Sequence, residues 1–562
     1  MRFLDVATAL DEVVSTRGTH AKRDIIARLL READEASLPH VARFASGAPF
    51  GRVDARVLQL GWAVLRQASL SLLPIDDLVW SACHRATGDT GETLALLMEA
   101  YPPKAQGAQR TLFEAGRAEG AEVTVLDVAD RFARIAVAPA AAKATLLEAA
   151  WRRMTPAEAK YFTKIITGGM RIGLSESLVE EAVARAFERD VADVRMSNML
   201  SGDIGETALL AKGGRLQETP FRLFHPLGFM LASPVEEAPA EVAEYLVEDK
   251  FDGIRAQLHV ANGRAELFSR TLEAAREFPE LVEAARRIPH ELVLDGEVLA
   301  VRADGTAAPF ALLQRRLGRK DVSALLRKQV PVRYVAYDVM FIDGEPLWTK
   351  PLAERRATLE ALPLTGALGI SPLVAPDFEA ARARGNEGLM FKRRDSAYDF
   401  GKRGQAWLKL KRAFATLDVV VTAAELGHGK RAGLLSDVTF AVRAEDGALV
   451  NVGKAYTGLT NEEIAQMTTI LKSLTIERYG GNIHYVRPEI VLEVAFDSVT
   501  RSKRHKSGFA LRFPRIERWR HDKRPDEIDT VRRVEELWRA SGGAETSEAS
   551  EAPTRVGEAA GR

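Results

Sequence analysis

Hydrophobic periodicity changes part-way along this 562-residue chain, and that change constrains the fold more than any other feature. Up to about residue 215, apolar residues recur at spacings of three and four, as in AAAKATLLEAAWRRM, and strand-like alternation is scarce. The pattern predicts helix after helix. Near residue 220 it breaks: Pro220, Pro226 and Pro234 punctuate the helix-poor stretch FRLFHPLGFMLASP. From about 245 to 412, alternating segments mix with helices, with ELVLDGEVLAVR and RYVAYDVMF as strands and EFPELVEAARRI as a helix. From about 414 to 536 strands dominate, in LDVVVTAAEL, LVNVGKAYTG and EIVLEVAFDSV, separated by Gly-rich turns. Roughly 120 residues with about five such strands suit a small closed barrel, and a barrel of this size that meets nucleic acid is often of the oligonucleotide-binding (OB) type. The final stretch, ASGGAETSEASEAPTRVGEAAGR, lacks aromatics and reads as disordered. The expected organisation is a helical region at 1–218, a mixed α+β region at 219–413, a β-barrel at 414–538 and a tail at 539–562. No repeat at a fixed period is evident.

Composition removes several classes. The lone Cys83 excludes an internal disulfide and any zinc site built on two or more cysteines. No apolar run reaches the length of a membrane span, and the N-terminus carries acids where a signal peptide would be apolar. Asp+Glu and Lys+Arg are both 78. The neutral average hides local patches, however: residues 501–524 hold ten Lys/Arg against two Asp/Glu, and residues 390–412 hold eight against two. Such patches suit a polyanion whose binding weakens steeply with salt, or are solvated faces with no partner.

The candidate nucleophile lies in Glu248-Asp249-Lys250-Phe251-Asp252-Gly253-Ile254-Arg255, which opens a hairpin. IRAQLHV and RAELFSR alternate, and Asn262-Gly263 between them suits a type I′ turn. An amine at a strand's entrance can attack phosphorus once it is unprotonated, a state that burial and the cations Arg255 and Arg270 would favour. The alternative is a surface lysine in a polar turn. Leu294-Asp295-Gly296-Glu297 ends a strand with a carboxylate, or is only a turn. Glu387-Gly388-Leu389-Met390-Phe391-Lys392 sets a second carboxylate before a strand. In Trp407-Leu408-Lys409-Leu410-Lys411 both lysines face one way, opposite Leu408 and Leu410. Residues 512–523 are dense in cations. In the helical region, Thr155-Pro156 starts a helix, Gly168-Gly169 ends it, and Ser177-x-x-Glu180 offers a capping box for the next. The Gly-rich joint between them carries Arg171 and exposed amides, a natural phosphate contact without base readout.

Taken in this order, these segments resemble the six nucleotidyltransferase motifs of ATP-dependent DNA ligases. The resemblance covers about residues 110 to 536, and Tyr161 to Leu174 is similar to the signature of the ligase DNA-binding domain. It implies a multidomain chain: an all-α DNA-binding domain, an α+β nucleotidyltransferase (adenylation) domain and an OB-fold β-barrel. It also implies roles. Lys250 becomes the adenylated lysine and Glu248 the acceptor for the adenine amine. Arg255 and Arg270 hold ribose and phosphate. Glu297 lies near ribose and metal, Tyr337 stacks on adenine, and Glu387 is a second metal-associated carboxylate. Arg403, Lys409 and Lys411 bind phosphate, Arg518, Arg520 and Lys523 orient pyrophosphate, and Arg171 contacts DNA. The implied reactants are ATP, Mg²⁺ and nicked duplex DNA, in a cytoplasmic, nucleoid-associated monomer without a membrane partner.

An RNA ligase or capping-type nucleotidyltransferase shares the Lys-x-Asp-Gly core, but the long helical N-terminal region with Arg171 speaks against it. A non-catalytic DNA-binding relative is opposed by the intact set Lys250, Glu297, Glu387 and Lys409. An NAD-dependent ligase, with its four-cysteine zinc module, cannot be built around Cys83 alone.

Motion is implied as well, because the cations at 512–523 lie far along the chain from Lys250. They serve the first step only if the barrel closes over ATP, with a hinge near 411–417. Arg518→Ala or Lys523→Ala is therefore expected to cripple self-adenylation while sparing the sealing of pre-adenylated nicks. Equal loss in the two assays would count against closure.

Overall fold

The computed structural model describes residues 1–103, 122–319, 321–411, 415–427 and 431–540. It divides into two compact units, Met1–Gly228 and Phe229 onward. Residues 219–228, assigned above to the mixed region, fall in the first unit, where Arg222 bonds Glu206 at 2.6 Å and His225 is buried.

Helices build the first unit, and their apolar faces share one core. Phe132 stands at its centre, stacked on Phe162 at 4.6 Å and edge-on to Phe44 at 5.6 Å. Such ring pairs add about 1 kcal/mol each beyond the area they bury. The helix Pro156–Thr167 starts as expected: Thr155 and Glu158 form a reciprocal capping box, Pro156 sits in the first turn, and Gly168 closes the helix. The second expected box does not form. The next helix runs Glu176–Phe187 with Ser175 as its cap, accepting from the Leu178 amide. Ser177 is already inside the first turn, and Glu180 instead accepts from Asn198 at 2.8 Å.

One corner occurs twice in this unit. Gly88-Asp89-Thr90-Gly91-Glu92-Thr93 and Gly202-Asp203-Ile204-Gly205-Glu206-Thr207 each close one helix and open another. In each the Asp caps the new helix and pairs with a cation from a third, Lys164 at 2.9 Å and Arg43 at 2.6 Å. In each the second Gly lets backbone meet backbone, since a Cβ at Gly91 would lie 2.6 Å from the Lys160 carbonyl oxygen and one at Gly205 2.5 Å from that of Pro39. The copies escape a search for periodicity because only a six-residue corner repeats, with different sequence around it.

The second unit is β-rich. Strands Leu231–Val235, Arg403–Lys411, Gly388–Arg393 and Tyr245–Lys250 form a four-stranded sheet in that order. A six-stranded sheet is built on Arg264–Ser269, Ile254–Ala261, Leu292–Ala300 and Val332–Ile342. Its first hairpin turns as expected, with positive φ at both Asn262 (50°) and Gly263 (72°). A seven-stranded sheet is centred on Ala415–Leu426, which pairs with Leu435–Arg443, Ile483–Val486 and Val491–Phe496. The helix Val531–Ala540 lays Val534, Leu537 and Trp538 on that sheet's core. Arg539 and Ala540, assigned above to the tail, thus belong to this helix; 541–562 lie outside the described residues, as do 412–414 of the expected hinge. Among the described residues no helix is long and apolar enough to cross a membrane.

In an exposed helix Gly→Ala is worth up to about 1 kcal/mol of stabilisation. At Gly91 the sign should reverse, because the added methyl meets a carbonyl oxygen and overpacking costs about 1–3 kcal/mol. Urea titration of Gly91→Ala is expected to show a lower midpoint at unchanged slope.

Candidate active site

Lys250 is the last residue of its strand, and four residues later the chain enters the six-stranded sheet at Ile254. Gly253 permits this crossing. A Cβ there would stand 2.4 Å from the Val298 carbonyl oxygen and 2.7 Å from Cγ of Glu297. The turn after the lysine is thereby seated on the strand that carries Glu297. Across the four-stranded sheet Lys250 pairs with Gly388, and the Glu387 amide donates to the Lys250 carbonyl at 2.7 Å. This register places the Glu387 carboxylate on the Lys250 ammonium, with which it forms an ion pair.

Glu297 differs from expectation in position: it lies inside the strand Leu292–Ala300, not at its end, and Asp295-Gly296 is strand, not turn. Its pairing partner is Arg255. Burial pushes the Glu297 carboxyl up to about 8, against the pull of Lys250 and Arg255. Burial, and then the charge of Glu387, pushes Asp252 up to about 6. Three carboxyls thus crowd one amine, and the crowding favours keeping some of them protonated.

Arg255 is more committed than the sequence suggests. It grips the fully buried Asp295 through Nε and Nη2, at 3.1 and 2.6 Å, and donates to the Met230 carbonyl at 2.6 Å. Its guanidinium lies 4.8 Å from the Phe229 ring centre and 5.5 Å from that of Trp407. Tyr398 also donates to Asp295, at 2.6 Å. Glu248 is likewise engaged, accepting from Lys392 at 2.8 Å and Arg356 at 3.2 Å. Tyr337 sits where the register shifts between Leu292–Ala300 and Val332–Ile342, an irregularity of the kind that re-aims a side chain. Its ring carries the Lys392 ammonium 3.9 Å from its centre and meets Trp407 edge-on at 6.1 Å. Lys392, Trp407 and Tyr398 lie within or beside the motifs, but nothing in their spacing marks them as one pocket.

Lys409 and Lys411 share a face opposite the buried Leu408 and Leu410, as the alternation requires. Burial, and then the charges of Lys250, Arg403, Lys411 and Arg270, hold the Lys409 ammonium below its ordinary range. The charges of all four thus bear on Lys409. Lys411 is already paired, with Asp497 at 2.6 Å.

The cations at the C-terminal end divide into two groups. Arg518, on the seven-stranded sheet, bonds Glu493 at 2.5 Å, while Lys523 and Arg520, past the sheet's last strand, bond Asp418 of its central strand at 2.6 and 2.9 Å. Arg512 instead reaches the site. It lies 3.5 Å from Asp252, with its guanidinium 3.9 Å from the Phe310 ring centre. Arg171 is in the first unit, exposed on the joint after Pro156–Thr167, and its guanidinium donates to the Gly88 carbonyl at 3.5 Å.

Comparison with known proteins matches three family models along the chain: DNA ligase N terminus at 2–184, ATP dependent DNA ligase domain at 229–411 and ATP dependent DNA ligase C terminal region at 431–523. A probable DNA ligase of Koribacter versatilis is 44% identical over 95% of this chain and 96% of its own length. The chain belongs to the ATP-dependent DNA ligase family. A DNA ligase of Methanothrix thermoacetophila is 35% identical, over 96% of this chain and 99% of its own length. The architecture is that of the family, a helical N-terminal region followed by β-rich regions, and the family uses ATP and acts on nicked DNA.

The raised Glu297 carboxyl makes stability depend on pH. Folded at about 8 and unfolded near the ordinary glutamate value of about 4.3, it binds its proton more tightly in the folded state. Its contribution is fully present below about pH 4.3 and is lost as pH rises through about 8. Asp252, raised to about 6, adds a drop of the same sign at lower pH. Glu297→Gln should remove the upper part of this decline, so urea midpoints of variant and parent should diverge in the variant's favour from pH 6 to 9.

Proposed function

We propose that this chain seals nicks in duplex DNA through a lysyl-AMP intermediate on Lys250. The observation that carries the reading is the placement of one lysine between the carboxylates Glu387 and Glu297, with a convergent group of cations beside it. That arrangement suits in-line displacement at phosphorus, where positioning and charge neutralisation supply most of the catalysis.

In the first step the Lys250 nitrogen attacks the α-phosphorus of ATP and a P–N bond replaces the bond to pyrophosphate. Glu387, already on the ammonium, is placed to take the proton the nitrogen must lose. AMP then passes to the 5′ phosphate, regenerating the amine. Finally the 3′ hydroxyl attacks that phosphate and expels AMP. Lys409, Arg403, Arg270 and Lys411 offset phosphate charge in each step, with Lys411 leaving Asp497 to do so. Tyr337 supplies a ring for adenine. Glu248 retains acceptor capacity beyond its two cations and offers it to the adenine amine. Arg255 acts through its bonds, fixing the aromatic wall of that pocket.

The carboxylates suit Mg²⁺. Among the described residues no three acidic, His or Cys side chains form a metal cage, as befits an ion held by one or two carboxylates plus substrate phosphates. Glu297 and Glu387 would hold it, and when bound it would neutralise charge on the phosphate oxygens.

We read the helical region as the all-α DNA-binding domain and the sheet centred on 415–426 as the OB barrel. In the present arrangement Arg518, Arg520 and Lys523 are tied to Asp418 and Glu493 while Arg512 is near Asp252, so bringing the first group over ATP requires the barrel to move. A cytoplasmic, nucleoid-associated monomer completes the reading.

Incubation with α-labelled ATP and Mg²⁺ followed by peptide mapping should place AMP on Lys250. Lys250→Ala should lose at least about 10³-fold in sealing from free ATP, while retained sealing by that variant would overturn the assignment.

A further inference from the structure

The joint that carries Arg171 is held from a second side by a residue that no motif marks. Lys22, in the first turns of the helix Thr19–Glu32, donates its ammonium to the Ile172 carbonyl at 2.8 Å. That carbonyl belongs to the residue directly after Arg171. The same ammonium lies 2.8 Å from where a Cβ on Gly173 would be, so the glycine leaves the lysine its seat. Among the described residues neither Lys22 nor Arg171 has a carboxylate partner; each donates to one backbone carbonyl.

This pattern is unlike that of the neighbouring cations. Lys160 and Lys164, on the helix leading into the joint, are each bound to two carboxylates, and Arg185, on the helix leaving it, reaches Asp24 at 3.8 Å. Those three cations are matched by carboxylates, whereas among the described residues Lys22 and Arg171 are not. An ammonium has three N–H donors, and among the described residues one of those on Lys22 is used, by the Ile172 carbonyl. A backbone carbonyl fixes its position without cancelling its charge.

We propose that Lys22 and Arg171 each take a phosphate of the DNA backbone at this joint, so that Lys22 is a further DNA-binding residue of this ligase. The inference rests on the reading of the Arg171 joint as a DNA contact. It extends that reading to a residue on a different helix, far away in sequence, at a position the joint's own motif does not include.

Counterion release provides a test that a purely structural strut would not satisfy. Each phosphate contact contributes about 0.9 to the slope of log affinity against log salt concentration on B-DNA. Binding of the full chain to a nicked duplex ending in a 3′-dideoxynucleotide should be measured across a range of KCl for the parent, Lys22→Gln, Lys22→Arg and Arg171→Gln. Lys22→Gln should bind more weakly at low salt, with a slope shallower by about 0.9, and Lys22→Arg should keep the parental slope. Thermal midpoints of the same samples report folding. If Lys22→Gln keeps the parental slope while Arg171→Gln lowers it, Lys22 only props the joint and the inference is overturned. If neither variant changes the slope, the joint is not a phosphate seat and the underlying reading falls with it.

Discussion

Two glycines permit the close backbone approaches on which this site is built. At Gly253 a side chain would collide with the Val298 carbonyl and with Glu297, and at Gly388 a Cβ would lie 2.1 Å from the Leu410 carbonyl oxygen. The first seats the turn after Lys250 on the Glu297 strand. The second brings Gly388–Arg393 tight against Arg403–Lys411 and so places Glu387 beside the lysine and the Lys409 face behind it. Backbone approach at these distances is open only to glycine, which explains why the acidic and basic motifs each contain one.

Within that frame the charges are arranged in opposition. Carboxyls at 252, 297 and 387 lie near Lys250, and burial, with the charge of neighbouring carboxylates, pushes the first two up. Lys409 in turn is pushed down by burial and by its fellow cations, Lys250 among them. A site with this layout is incomplete by itself. Under the proposed function, phosphate would relieve the cations and a divalent cation would relieve the carboxylates, so that a nucleotide with its metal would satisfy both halves at once. The buried pairs Arg255–Asp295 and Arg355–Asp338, by contrast, are closed within the protein and serve to fix strands and rings. Such pairs are weak evidence for stability but good evidence for fixed geometry.

Much of the fold was legible in the sequence because it rests on short-range pattern. The capping box at Thr155, the Asn262-Gly263 turn and the alternation of Lys409 and Lys411 with Leu408 and Leu410 each follow from neighbours a few residues apart. The box at Ser177 failed for an equally local reason: Ser175 caps the helix first. The doubled Gly-Asp-x-Gly-Glu-Thr corner, the grip of Arg255 on Asp295 and the contact of Arg512 with Asp252 were not legible, since each depends on partners brought together by folding.

By itself the sequence determined the order of helical and β-rich regions, the lysine proposed as nucleophile and the residue types around it, because periodicity and motif spacing are written along the chain. Tertiary structure alone decided which charges are free and which are already matched. Glu248, Arg255, Lys411, Arg518 and Lys523 carry the residue types their motifs require, yet all are paired within the protein, whereas Lys22 has no motif and no carboxylate partner among the described residues. The physical reason is that Coulomb pairing depends on distance in space, and distance in sequence does not report it.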